Sequence, residues 1–152
     1  MSTKVKIKIL DNSPLRKQID DLYETMDQVS VAKWSLSLAK HILETVDINY
    51  ESYIELVEGF RINELWQDGE ARMHDVRQIG FSIHRLAREC DSEIQKTALR
   101  VVGQAVGSGH MKEHAMIASD YAIKTIGLIT TNDIGAITLE REWQFNEIKK
   151  YK

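Results

Sequence analysis

His110, Glu113 and His114 stand in the order H-x-x-E-H, a spacing at which two imidazoles can hold zinc and a carboxylate can serve as general base. On a helix, residues four apart share a face, so both histidines could reach one ion. A catalytic zinc also needs a third protein ligand held by another element. His41, His74, His84 and many carboxylates are available, and nothing in the spacing selects one. The run "GSG" at 107–109 leaves the start of that helix open. The simpler expectation is that His110 and His114 pack or hydrogen-bond at a helix junction. His114 then lies under an alanine-rich seam, met by His84 from the fourth helix. No metal and no cofactor are expected.

Other chemistry is sparse. "GQAVGSG" leaves a helix rather than entering one from a strand, so it is no phosphate loop. Cys90 is the single cysteine, which excludes an intramolecular disulfide and suits a reducing compartment. Trp34, Trp66 and Trp143 fall at helical spacings and are expected in the core. The basic start "KVKIKIL" carries no interleaved aromatics, so nucleic acid is not an expected partner. No apolar run approaches the ~20 residues of a membrane span, and a cytoplasmic protein without membrane contact is expected.

The elements that must position these residues are helices. Pro14 is the only proline, and with Ser13 as cap it opens a helix over about 14–27. Ala32, Leu36, Ala39, Leu43 and Val46 form one apolar stripe over 29–46. A helix over about 50–58 puts Tyr50, Ile54 and Val57 on one side and Glu51, Glu55 and Glu58 beside them, with Gly59 as a break or bend. "WQDGE" is a turn before a helix over 70–89 whose inner face includes Val76, Ile79, Ile83 and Leu86. Ser92-x-x-Gln95 is a capping box for a helix to about Val106, rich in small residues. A helix over 110–128 and a last one from Thr131-Asn132-Asp133 to Tyr151 follow. The fold class is all-α: a single antiparallel bundle of six or seven helices, or a HEAT-like stack of them, over 13–152. Residues 1–12 form a basic arm whose alternation has the period of a strand, so it is either flexible or paired with a second chain.

Charge is uneven within a mild net −3. Residues 1–18 carry five cations against Asp11, and residues 44–70 carry eight carboxylates against Arg61 alone. A stretch this acidic repels nucleic acid and attracts basic partners.

Four blocks then resemble one family. "VAKWSLSLAKHILE" is similar to its opening helix through Trp34, Ala39 and His41, and "VRQIGFSIHRLARE" to a second through Arg77, His84 and Ala87. "ALRVVGQAVGSGHMKEHAMIASDYAIKTIG" is similar to its most distinctive block through Gly103, Gln104, Ala105, His110, His114, Tyr121 and Ala122. "EREWQFNEI" is similar to its closing helix through Arg141, Trp143 and Gln144. The family is the all-helical set of immunity proteins that accompany bacterial polymorphic toxins, and the likeness runs over about 30–148. It implies binding and neutralisation of a cognate toxin, without catalysis. It does not imply which face meets the toxin. On charge, Glu51, Glu55 and Glu58 are the expected contact stripe. Two other readings stand beside this one: a small metal-dependent hydrolase using His110, Glu113 and His114, and a helical scaffold that forms homo-oligomers.

Overall fold

The structure is a computed structural model that describes residues 2–152. Seven α-helices and one 3-10 turn account for its regular structure: α1 Ser13–Thr25, α2 Gln28–Thr45, the 3-10 turn Tyr50–Ser52, α3 Ile54–Gln67, α4 Met73–Arg88, α5 Glu93–Gly107, α6 His114–Thr130 and α7 Ile134–Ile148. Short polar side chains start several of them. Asn12, Asp27, Ser92 and Asp133 each accept a backbone N–H from the first turn of the helix they precede. Asn12, rather than Ser13, is the cap of α1, which places Pro14 inside the first turn where its missing N–H costs nothing.

Helices α3, α4, α5, α6 and α7 pack each against the next, joined by short connections. Helix α2 runs behind them and touches α3, α5, α6 and α7. In a solenoid each unit touches only its neighbours, so this spread of contacts describes a bundle around α2. Helix α1 packs against α7. The main core joins Leu36, Leu38 and Ile42 of α2 to Leu56 and Phe60 of α3, Ile83 of α4, the Ala98–Val106 face of α5 and Ala118–Ile126 of α6. A second core of Ile19, Tyr23, Met26, Val31, Trp34, Met116 and Ile148 ties both terminal helices to α2 and α6.

The expected helix over 50–58 is two elements. The chain makes a 3-10 turn at Tyr50–Ser52, extends at Tyr53, and restarts as α3. Gly59 does not break α3, which runs through it. It is buried mid-helix, where a Cβ would come within 2.6 Å of Ile83 Cδ1. The missing side chain leaves room for Ile83 of α4 and Val106 of α5.

Residues 2–12 form no strand, and the strand-like alternation is met by helices instead. Ile9 packs on the main core, Lys6 pairs with Glu113 at 2.9 Å, and Thr3 donates its N–H and hydroxyl to Asp20.

Candidate functional site

Three places hold the residues that the sequence singles out. The first is the acidic face. Glu51 lies on the 3-10 turn and is exposed, while Glu55 and Glu58 follow on α3 and are half-buried. Glu58 accepts from Arg61 at 2.6 Å. The three carboxylates therefore do not form a stripe of one helix. The inner face of α3 is Leu56, Gly59, Phe60 and Asn63, which turns Ile54 outward at 67% exposure, next to Tyr53 at 40%. Two large apolar side chains thus stand in water within the most acidic stretch of the chain. Tyr50 instead turns in, edge-on to Phe60 with centroids 5.0 Å apart.

The second place is a buried charge network between the arm, α1, α6 and α7. Arg141 is fully buried and grips Asp11 with Nε and Nη2, both at 2.8 Å. Its Nη2 also donates to Asp120 at 2.8 Å, and its Nη1 to Gln144 Oε1 at 2.9 Å. Arg16 closes on the same Asp120 with two bonds of 2.8 and 2.9 Å. Gln144 donates to the Ser119 carbonyl, and the carbonyl of Gln144 accepts from Trp34 Nε1 at 3.2 Å. Trp143 stacks on His41 at 3.7 Å, and His41 Nε2–H donates to Glu140 at 2.8 Å. The second oxygen of Glu140 is buried with no hydrogen-bond partner among the described residues. Trp34, Arg141 and Gln144 are therefore buried residues whose polar atoms face one another, and Trp143 stands half-buried beside them. Tyr121 packs half-buried on the main core.

The third place is the histidine cleft. The turn before α6 starts buried: Ser108 is fully buried, and its backbone and hydroxyl need partners from the protein. Gln28 donates to the Ser108 carbonyl at 2.8 Å, Asn63 to the Val106 carbonyl at 2.8 Å, and the Ser108 hydroxyl to the Ala105 carbonyl at 2.6 Å. Residues 108–113 are turns, and α6 begins only at His114. His110 is thus not on the helix expected to carry it, and the H-x-x-E-H sequence does not present two ligands from one helical face. Even so, the His110 and His114 rings lie 5.7 Å apart, stacked at 27°.

Helix α5 supplies the floor. At Gly103 a Cβ would come within 2.6 Å of the His84 ring, and at Gly107 within 3.3 Å of the His114 ring. Two glycines one helical turn apart are seats for two imidazoles, one from α4 and one from α6. Arg100 Nη1 donates to His84 Nδ1 at 2.9 Å, which leaves the His84 proton on Nε2. His114 Nδ1–H donates to Gln104 Oε1 at 2.7 Å, which leaves Nε2 as its free lone pair. Burial lowers the pKa of His84 to about 4, helped by the charges of Arg100, His114 and Arg88. Burial also lowers that of His114, with His110 and Lys6 acting the same way and Glu113 opposing. Both imidazoles are neutral at pH 7. Among the described residues no group of three or more His, Cys, Asp or Glu side chains is arranged to hold a metal ion.

Residues 21–151 match the protein family described as "Imm-5 like putative immunity protein", and the chain belongs to that family. Searches of the curated proteins and of the solved structures gave no significant match. The matched span includes the acidic face, the histidine cleft and the α6–α7 side of the charge network, while Asp11 and Arg16 lie before it. Of the closing-helix residues Arg141 and Gln144 are fully buried and Trp143 is half-buried, and the histidines are partly open. The sequence reading named Arg77, Gln104 and Gly103 only as family matches and passed over Arg100 and Gly107. The spacing of Gly103 and Gly107, one turn apart within an apolar helix, was the signal that something large had to be seated there. No helix among the described residues is long and apolar enough to cross a membrane.

Proposed function

We propose that this immunity-family protein neutralises a cognate toxin by binding it, without catalysis, and that the toxin meets the face carrying Glu51, Glu55 and Glu58. The observation that carries this reading is Ile54, exposed at 67% beside Tyr53 and within a run of eight carboxylates. Large apolar side chains exposed together in a polar rim are what interfaces use as anchors. The surrounding charge steers a basic partner toward them and discriminates against acidic ones. Such an interface covers the toxin's working surface and needs no reactive group of its own. Cytoplasmic action fits the lone, unpaired Cys90.

The test uses the gene immediately upstream, expressed alone and together with this chain. Co-expression is expected to rescue growth. The Ile54→Asp substitution and the triple Glu51/Glu55/Glu58→Lys substitution are each expected to abolish rescue in protein that still melts cooperatively. Loss of a central anchor costs about 2 kcal/mol or more of binding, a ~30-fold weakening. Rescue that survives both changes moves the interface elsewhere.

A further inference from the structure

The histidine cleft has a use that the docking face does not explain. It is lined by Arg77, Gly80, Phe81, His84, Gly103, Gly107, His110 and His114, and its volume is about 50 Å³. One water needs roughly 10–15 Å³ measured this way, so the space takes three or four water-sized groups. That excludes a peptide or a nucleotide and matches the head of a small oxyanion.

The lining also decides the sign of the charge it would take. It holds one permanent cation and three imidazoles, and no carboxylate. Arg77 lies over the Phe81 ring at 5.2 Å and has no ion-pair partner among the described residues. A second guanidinium, Arg100, stands directly behind His84 and occupies its Nδ1. A cation would meet Arg77 and Arg100 and find His84 with its proton on the open side. An anion would meet a guanidinium, the Nε2–H of His84, and His110, whose ring nitrogens have no hydrogen-bond partner among the described residues. Glu113, the nearest carboxylate to His114 in sequence, is held by Lys6 at 2.9 Å.

We propose that the cleft between α4, α5 and the turn before α6 is an anion site, taking a carboxylate- or phosphate-sized oxyanion between Arg77 and the imidazoles of His84, His110 and His114. Binding couples to proton uptake. The free lone pair of His114 Nε2 repels an anion when the ring is neutral and donates to it once protonated. The groups facing His114 are His110, Lys6 and Glu113, and those facing His84 are Arg100, Arg88 and His114. An added negative charge offsets the like-charge members of both sets, so affinity rises as the pH falls toward 6. The proposal is independent of where a toxin docks.

The experiment is an NMR pH titration of the five histidine side chains in the full chain, repeated with inorganic phosphate and with sodium acetate at tens of millimolar. The expected result is saturable movement of the His84, His110 and His114 signals, with the His114 midpoint shifted upward. His41 and His74, outside the cleft, should stay still. Acetate acting as well as phosphate assigns a carboxylate site, and phosphate acting alone assigns a site for the larger oxyanion. Arg77→Met, a change at an exposed position, should weaken the effect at least tenfold while leaving the melting profile unchanged. The proposal is overturned if the three signals ignore both anions. It is also overturned if all five histidines move together without saturation, or if Arg77→Met binds as well as the parent.

Discussion

Two regions that each gather polar side chains between helices behave differently. Between the arm, α1, α6 and α7, Arg16, Arg141, Asp11 and Asp120 form a closed neutral set in which each guanidinium is met by a carboxylate and neither aspartate is left alone. In the cleft at α4, α5 and the turn before α6, each imidazole has at most one nitrogen satisfied by the protein. Both regions carry residues that match the family. The difference shows that matching alone does not mark a contact residue: the saturated set has nothing left to offer a ligand, and the unsaturated one does. Burying charge is costly unless every partner is present, so the first region behaves as an all-or-none unit. The second is held mainly by shape, through glycines that leave room for rings.

The strongest break of that comparison is Arg141→Met. It removes one member of the closed set and leaves Asp11 and Asp120 short of a counter-charge in the interior, a loss of about 3–5 kcal/mol. Urea unfolding should register it as a lower midpoint, and Arg141→Lys should recover only part, because one ammonium cannot reproduce the fork on Asp11. A loss under about 1 kcal/mol would mean that the network relaxes around the gap.

Gly103→Ala is the corresponding break in the cleft. Alanine improves helix propensity by about 1 kcal/mol, but its Cβ takes space now held by the His84 ring, and overpacking costs about 1–3 kcal/mol. The net expectation is a destabilisation on the order of 1 kcal/mol, with the His84 midpoint moving up toward its ordinary value as the ring swings outward. A more stable variant with an unmoved midpoint would show that the ring is not seated where the structure has it.

Acid gives a separation of similar size and the most selective one. His84 stays neutral in the fold down to about pH 4, whereas in the unfolded chain it takes a proton near 6.5. The unfolded state therefore binds more protons below pH 6.5. Stability is full above that value and falls as the pH drops toward 4, and the lowered pKa of His114 adds to the fall just below 6.5. Allowing for the partial exposure of His84, the loss is roughly 1–2 kcal/mol. His84→Gln should flatten the acid limb of a stability–pH curve, while Arg141→Met should lower the curve without reshaping this limb.

Much of the fold was legible because its signals are local. The Ser92 cap, the apolar stripe of α2 and the alanine seams of α5 and α6 each lie within a few residues of what they specify. The arm was half legible: the alternation of lysine with apolar residues was real, but its partner is a set of helices rather than a strand. The site was less legible. Asp11 and Arg141 meet across 130 residues, and nothing near either one marks the other. The start of α6 was misplaced because the buried "GSG" turn depends on Gln28 and Asn63, which reach it from elsewhere in the chain. The acidic stripe came apart at Tyr53, where the chain extends between two helical pieces whose junction carries no proline or glycine to mark it.

The pairing of α1 with α7 also sets an order of events during synthesis. Helices α3 to α6 can begin to pack as they leave the ribosome, since each finds a partner already made. Asp11 cannot meet Arg141 until 130 more residues have been added, roughly 6 to 26 s at ~5–20 residues per second. Through that interval the nascent chain presents the side of α2 around Trp34 that α7 later covers, together with aspartates not yet neutralised. This is the window in which a holding chaperone would find the chain, and it closes when α7 arrives and the two ends of the protein lock together.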